Sequence, residues 1–411
     1  MSSRPATATR RRWRGEPSAP IVWTVLTAWG GVWGLLLAGR GAASWQHFST
    51  GGIALITPGD PGASLHMYAS RADLRFGPVS MMAADLLRAV AGTGSVVLAL
   101  ILSAAAGVGV LAVVDAVSAS TRPLGSAGRR HRAVLLCGLA FLPVWMYLAV
   151  RSVHVDDVLA LTLTCVSVLA AVHRRPVVAG VLLGLAVASK PWALPLLALA
   201  LAVPAPARRK VLLAAVGTSA AAWLPFVLAD PVTLVAARLQ IPTAPSSSLP
   251  VVGLGDLATP WWDRPGQMLL GLAAAIVLVR RGRWPAVVLV VVGIQVALDP
   301  GAYSYYAAGI LAGAALWDLV GSRARLPWWS WAAAASLLAA RGLPLTEPMT
   351  GLLRLGCAAA CLAALAAPRR RGERRGRRTI LRYPEHPAAS PPAAAVLAGA
   401  APADPRAGAP G

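Results

Sequence analysis

The sequence predicts an all-α protein: a polytopic bundle of membrane-spanning helices making about 10–12 passes, one short or re-entrant pair included. Three observations carry this. Hydrophobic residues make up 57% of the 411-residue chain, more than soluble domains carry. They gather in continuous runs such as VVLALILSAAAGVGVLAVV (96–114), without the period-two alternation of a barrel strand. Arginines fall in short tracts between the runs, the pattern that marks cytoplasmic loops.

The basic N-terminus, residues 1–20, leads into an apolar run over 21–39. A secretory signal peptide has the same order of charge and apolarity, but this run exceeds a signal's apolar core. It reads as an uncleaved first helix with a cytoplasmic N-terminus. Residues 40–92 then lie outside, with 68–92 reading as a loop and an amphipathic helix on the outer surface. Spans follow near 94–114, 133–150 and 158–173, with the basic tract 122–132 inside and RSVHVDD (151–157) outside. Both Arg174-Arg175 and the ARRK tract at 207–210 are basic, so 177–203 must cross an even number of times. Two short helices or a re-entrant pair satisfy this, with the helix-breaking Lys190-Pro191 step at the apex. Spans over 211–229, 266–279, 284–298, 305–320, 327–340 and 349–367 complete a transmembrane domain of 21–367. The tail, 368–411, is arginine-rich and then Pro/Ala-rich, and reads as disordered and cytoplasmic. The expected location is the cytoplasmic membrane, multi-pass, with both termini inside.

A net charge of +22 could indicate nucleic acid. A nucleic-acid surface needs a basic face with interleaved aromatics on a soluble domain, and here the charge is spread over loop tracts and termini. The four cysteines, Cys137, Cys165, Cys357 and Cys361, lie inside apolar runs and imply neither disulfides nor a metal site. Lysine occurs twice, asparagine never, and Ala, Gly, Pro and Arg dominate; this is the composition of a GC-rich, actinobacterial genome.

By parity ten of the sixteen acidic residues fall on the outer side, leaving that face nearly neutral, so chemistry is expected there. His154, Asp156 and Asp157 open a helix. Carboxylates in that position cap free N–H groups, and they could equally line a cavity with the imidazole, binding sugar hydroxyls or orienting a catalytic group. Lys190 sits about 20 Å along a helix starting at Val177, short of the roughly 30 Å hydrocarbon core. An ammonium at that depth snorkels, pairs or lines a cavity; in a cavity it would contact a phosphate. The first outer loop holds Asp60, His66, Tyr68 and Asp73. The loop over 230–265 brings Asp256, Trp261, Trp262, Asp263 and Arg264: the tryptophans serve as interfacial anchors or stack on a sugar, with Asp263 accepting its hydroxyls. Tyr303, Tyr305 and Tyr306 share that ambiguity.

These segments resemble a family. Trp45-Gln46-His47-Phe48, LHMYASRADLRFGP (65–78), HVDD (154–157), GVLLGLAVASKPW (180–192) and DPGAYSYY (299–306) look, in this order, like the multipass GT-C glycosyltransferases. They are most similar to the actinobacterial polyprenol-phosphate-dependent mannosyltransferase branch, glycosyltransferase family 87. The resemblance covers the chain to about residue 367. It implies a GT-C-like fold and an inverting transfer of a sugar, mannose, from a polyprenyl-phosphate donor to a cell-envelope acceptor on the outer face, with membrane lipids as surroundings. A first-loop carboxylate, Asp73 or Asp60, would be the general base. Lys190 would contact the donor phosphate, and His154, Asp156 and Asp157 would line the site with Tyr68, Trp261, Trp262, Asp263 and Arg264. No metal and no cofactor is required. The rival reading is a carrier or flippase for a lipid-linked or small anionic substrate, with Lys190 as its midplane charge.

Overall fold

In hydrocarbon every backbone N–H and C=O must be paired within the chain, so continuous apolar runs fold as helices. In the computed structural model the described residues are 18–39, 42–57, 63–71, 73–74, 76–121, 127–236, 241–254 and 259–366. They form helices and no strand. The N-terminal 17 residues, Asp60, Asp256 and the tail from 367 onward lie outside the described residues.

The long helices are α1 (Ala19–Ala38), α2 (Trp45–Ile56), α3 (Pro78–Ala91), α4 (Ser95–Thr121), α5 (Ala127–Met146), α6 (Val155–Val172), α7 (Pro176–Ser189) and α8 (Ala205–Ala229). They continue as α9 (Asp263–Arg280), α10 (Val287–Leu298), α11 (Ala307–Leu316), α12 (Trp328–Gly342) and α13 (Glu347–Ala366). Among the described residues six helical stretches are long and apolar enough to cross a membrane, with shorter apolar helices packed among them. Burial divides them. In the most apolar stretches of Ala127–Ser152 and of α6, 61% of residues are buried, against 17% in α1 and in α8 and 11% in α13. The first two are central; the other three turn most of their apolar surface outward, as lipid-facing helices do.

The stretch 177–203, read as a short or re-entrant pair, folds as two unlike short helices. Helix α7 rises to Ser189, the chain breaks extended at Lys190, and Pro191–Ala202 returns as a 3-10 helix with Pro195 inside it. Proline cannot donate to an α-helical ladder, and two prolines in twelve residues favour the tighter winding. Gly271 of α9 accommodates Pro195, whose ring a Cβ there would meet at 3.2 Å. Two further differences concern the first outer loop. Residues 45–56 form a helix that the periodicity did not predict, and the helix expected to lie on the surface is α3, which packs on α2 and passes through Gly92–Gly94 into α4. Gly92 makes that turn at φ 52°, a conformation open to glycine.

Helices meet through small residues and interhelical hydrogen bonds, as membrane bundles do. At Gly180 and Gly184 an added Cβ would lie 2.3 Å from the Val211 carbonyl oxygen and 2.5 Å from that of Ala215, so α7 lies directly on the α8 backbone. The Ser219 hydroxyl donates to the Gly184 carbonyl at 3.1 Å, Ser167 to Ala179 at 2.7 Å, and the Trp145 indole to Ser103 at 2.9 Å. Asp318, in a π-helical turn over Trp317–Gly321, accepts from the Ser330 amide at 2.8 Å and hydroxyl at 2.9 Å. It thereby caps the unpaired N–H groups that open α12.

The polar loops gather at two ends. At one, Arg130 pairs with Asp115 at 2.9 Å, Ser118 donates to Leu319 at 2.9 Å, and Arg283 donates to the carbonyls of Ala364 and Leu365. At the other, the Ser44 amide donates to Ser152, His66 meets Asp230 at 3.5 Å, and Ser247 donates to the Asp299 carbonyl. Arg130 and Arg283 thus lie at the first end, with Asp115 among them, and Asp230 and Asp299 at the second. The close α7–α8 approach predicts that Gly180→Val lowers stability by about 1–3 kcal/mol through overpacking. Gly217→Val, where an added Cβ meets open space, should leave it near wild type; thermal unfolding in detergent measures both.

Candidate functional site

At the acidic end the chain encloses a cavity of about 630 Å³, within the usual range for small-ligand sites. Its walls come from segments far apart in sequence: Ser44 and His47; Tyr68, Asp73 and Phe76; Ser152 and His154; Lys190, Pro191, Trp192 and Pro195; Trp223; Arg264, Gln267 and Met268; Val291 and Gln295; and Tyr303, Tyr305 and Tyr306. The expected outer segments, read as separate loops in the sequence, thus converge on one space.

One wall is a buried charge cluster. Helix α5 ends in a π-helical turn over Tyr147–Ser152, and Val153 follows at φ 50°, ψ 51°. A β-branched residue in the left-handed region is strained, and such strain concentrates at functional sites. The bend carries the chain into His154 and starts α6 with Asp156 and Asp157. Lys190, at the α7 apex, places its ammonium 2.5 Å from Asp156 Oδ2 and 3.2 Å from Asp157 Oδ2. His154 Nδ1 lies 2.9 Å from Asp156 Oδ1, and the Trp192 indole donates to Asp157 Oδ1 at 2.8 Å. Asp156 is fully buried and Asp157 nearly so. The Tyr305 ring stacks on His154 at 3.9 Å, and Tyr303 stacks on Tyr305 at 5.2 Å.

Lys190 is therefore paired, and two of its three N–H donors are taken by carboxylates. His154, Asp156 and Asp157 offer ligand atoms within 4.8 Å of one another, close enough to hold a metal ion. A metal there would have to displace the Lys190 ammonium.

The second wall centres on Arg264. Its guanidinium reaches Asp299 at 3.2 Å and the Gln267 side-chain oxygen at 3.2 Å, and lies 4.0 Å from Asp263. Gln267 donates to Asp263 at 2.8 Å and to the Leu298 carbonyl at 3.1 Å. Gln295, the one polar side chain in the apolar run of α10, is 4% exposed and lines the cavity, and its Oε1 has no hydrogen-bond partner among the described residues. Gln295 and Gln267 escaped the sequence reading. The rule that singles out Lys190, a polar group stranded at membrane depth, would have found Gln295 as well.

The mouth belongs to the first outer loop. Tyr68 donates to the Phe76 carbonyl at 2.6 Å and packs against Trp223 and Phe226; burial raises its phenol, keeping the proton on. Asp73 lines the cavity with its side chain 56% exposed, gripped by Arg71 at 3.1 and 3.0 Å. That two-pronged hydrogen bonding holds its carboxyl below the usual carboxylate range. Trp261, 77% exposed, and Trp262 do not line the cavity, so the sugar contact expected of them is not formed by this wall. Asp263 sits behind Arg264.

Removing one partner of a buried ion pair leaves an uncompensated charge at a cost of about 3–5 kcal/mol. Arg264→Met, which strands Asp299 and Asp263, should lose that much in unfolding free energy, whereas Trp261→Ala should lose under about 0.5 kcal/mol. Chemical unfolding in detergent compares the two.

No protein-family model, curated protein or solved structure matches the chain, so the site is read from its own geometry.

Proposed function

We propose that the protein is an integral membrane glycosyltransferase that moves a sugar, mannose, from a polyprenyl-phosphate donor to a cell-envelope acceptor at the outer face of the cytoplasmic membrane. The observation that carries this is the chemistry of the cavity wall. Flat aromatic faces at Trp192, Trp223, Tyr303 and Tyr305 share the wall with the Asp73 carboxylate, the His154 imidazole and the open Gln295 acceptor. Stacking faces with hydroxyl-binding groups suit a pyranose, and the volume admits one or two sugar rings. The GT-C resemblance of the sequence supports the same reading.

In the inverting reaction the acceptor hydroxyl attacks C1 of the donor sugar as the lipid phosphate departs. Lys190, through its remaining N–H, and Arg264 are the cations in the wall able to meet that phosphate, where developing charge in a water-poor site is most strongly stabilised. Asp73 is a first-loop carboxylate that lines the cavity mouth; Asp60, the other loop carboxylate expected to act, lies outside the described residues.

Membranes containing the wild-type chain should transfer label from polyprenyl-phospho-mannose to endogenous acceptors. Trp192→Ala, which removes one stacking face and the partner of Asp157, should lower kcat/KM by at least about tenfold, equivalent to about 1.4 kcal/mol. Movement of the labelled lipid across proteoliposomes with no new glycosidic bond would instead favour the carrier.

A further inference from the structure

We propose that His154 is the acid–base residue of the cavity, and that Asp156 and Lys190 position it. The inference rests on the glycosyl-transfer reading for its reaction, but on the geometry alone for the dyad itself.

Asp156 carries its Oδ1 2.9 Å from His154 Nδ1 and its Oδ2 on the Lys190 ammonium, and its Oδ1 also accepts from the Asp157 amide at 2.8 Å. An ionised carboxylate only accepts, so the proton between it and the imidazole belongs to Nδ1. In the neutral ring Nε2 is then the bare nitrogen. His154 is part of the cavity wall, and no described residue bonds Nε2. This is the arrangement in which a buried carboxylate fixes one imidazole tautomer and leaves the other nitrogen to take a proton.

Two carboxylates, Asp156 and Asp157, face the ring from α6, and Lys190 faces them from the end of α7. Among the described residues the ring contacts from other elements are aromatic: Phe48, Phe76 and the face of Tyr305. Packing between these faces holds the imidazole plane, and the strained Val153 turn sets its direction. Asp73 lacks these features, because Arg71 grips both of its oxygens at the exposed mouth.

The step balances. The acceptor oxygen forms a bond to C1 of the sugar while the bond from C1 to the phosphate oxygen breaks, and the electron pair leaves with the lipid phosphate. The hydroxyl proton passes to His154 Nε2 and is later released to solvent. Lys190, bound to Asp156, keeps that carboxylate ionised and aimed at Nδ1; its part in proton transfer is through the histidine.

Two measurements on the full chain in detergent test this. The first is ¹⁵N NMR of the six histidines, with His154 assigned by its loss in His154→Gln. A neutral ring with Nδ1 protonated and Nε2 bare, changing tautomer in Asp156→Asn, is the expected result, and a ring protonated at Nε2 overturns the dyad. This readout needs no activity, so it stands even if the glycosyl-transfer reading fails. The second is kinetics with polyprenyl-phospho-mannose. His154→Gln should lower kcat by about 10²–10⁴-fold with KM little changed, whereas Asp73→Asn should raise KM and keep the acid limb of the wild-type pH profile. A kcat collapse and a lost acid limb in Asp73→Asn, with turnover retained in His154→Gln, would return the base to the loop carboxylate.

Discussion

The ion cluster of Lys190 with Asp156 and Asp157 is the constraint from which the rest of the site follows. An isolated ammonium or carboxylate at this depth would cost several kcal/mol in lost hydration, so the three must be brought together or not be charged. Bringing them together requires the start of α6 and the end of α7 to lie side by side at one end of the bundle. The Lys190-Pro191 break and the tight α7–α8 contact at Gly180 and Gly184 meet that requirement. Trp192, next along the chain, then falls within reach of Asp157, and the 3-10 return through Pro195 lays the chain against α9. In this way a cluster of charges fixes the positions of three helices.

The same cluster explains why a strained residue is tolerated. Val153 in the left-handed region is costly, and the π-helical turn before it abandons the regular ladder. Both distortions redirect the chain between α5 and α6, so that His154 reaches Asp156 and the ring of Tyr305. A straight continuation of α5 would carry the histidine past the site. The acidic end of the bundle therefore holds chain geometry that serves its polar groups, and at the basic end a second π-helical turn, Trp317–Gly321, likewise carries Asp318 to the start of α12.

The bundle was legible from apolar run length and arginine placement, because the membrane allows so few backbone solutions. Parity alone called for a break between Arg175 and Arg208 with Lys190 at its apex, and the chain does break at Lys190 between two short apolar helices. The charge cluster was legible only as separate suspects: His154, Asp156 and Asp157 in one turn and Lys190 thirty-odd residues later, with nothing in a single sequence to pair them. The 3-10 winding after Lys190 and the helix at 45–56 were not legible, since short apolar runs without periodicity do not reveal their winding. Gln295 was passed over because an amide carries no formal charge, although its isolation in an apolar helix carries the same physical meaning. Asp60 and Asp256 lie outside the described residues, and no structural role follows for them.

The most direct test of the account is a double-mutant cycle between Lys190→Met and Asp157→Asn, read as unfolding free energy in detergent. If the two groups form one buried charge unit, the lysine substitution alone is severe, the double variant recovers part of the loss, and the coupling falls at about 1–3 kcal/mol. Additive effects, within about 0.5 kcal/mol, would mean that the ammonium and the carboxylate do not meet in the folded protein, and the site built on their contact would not stand.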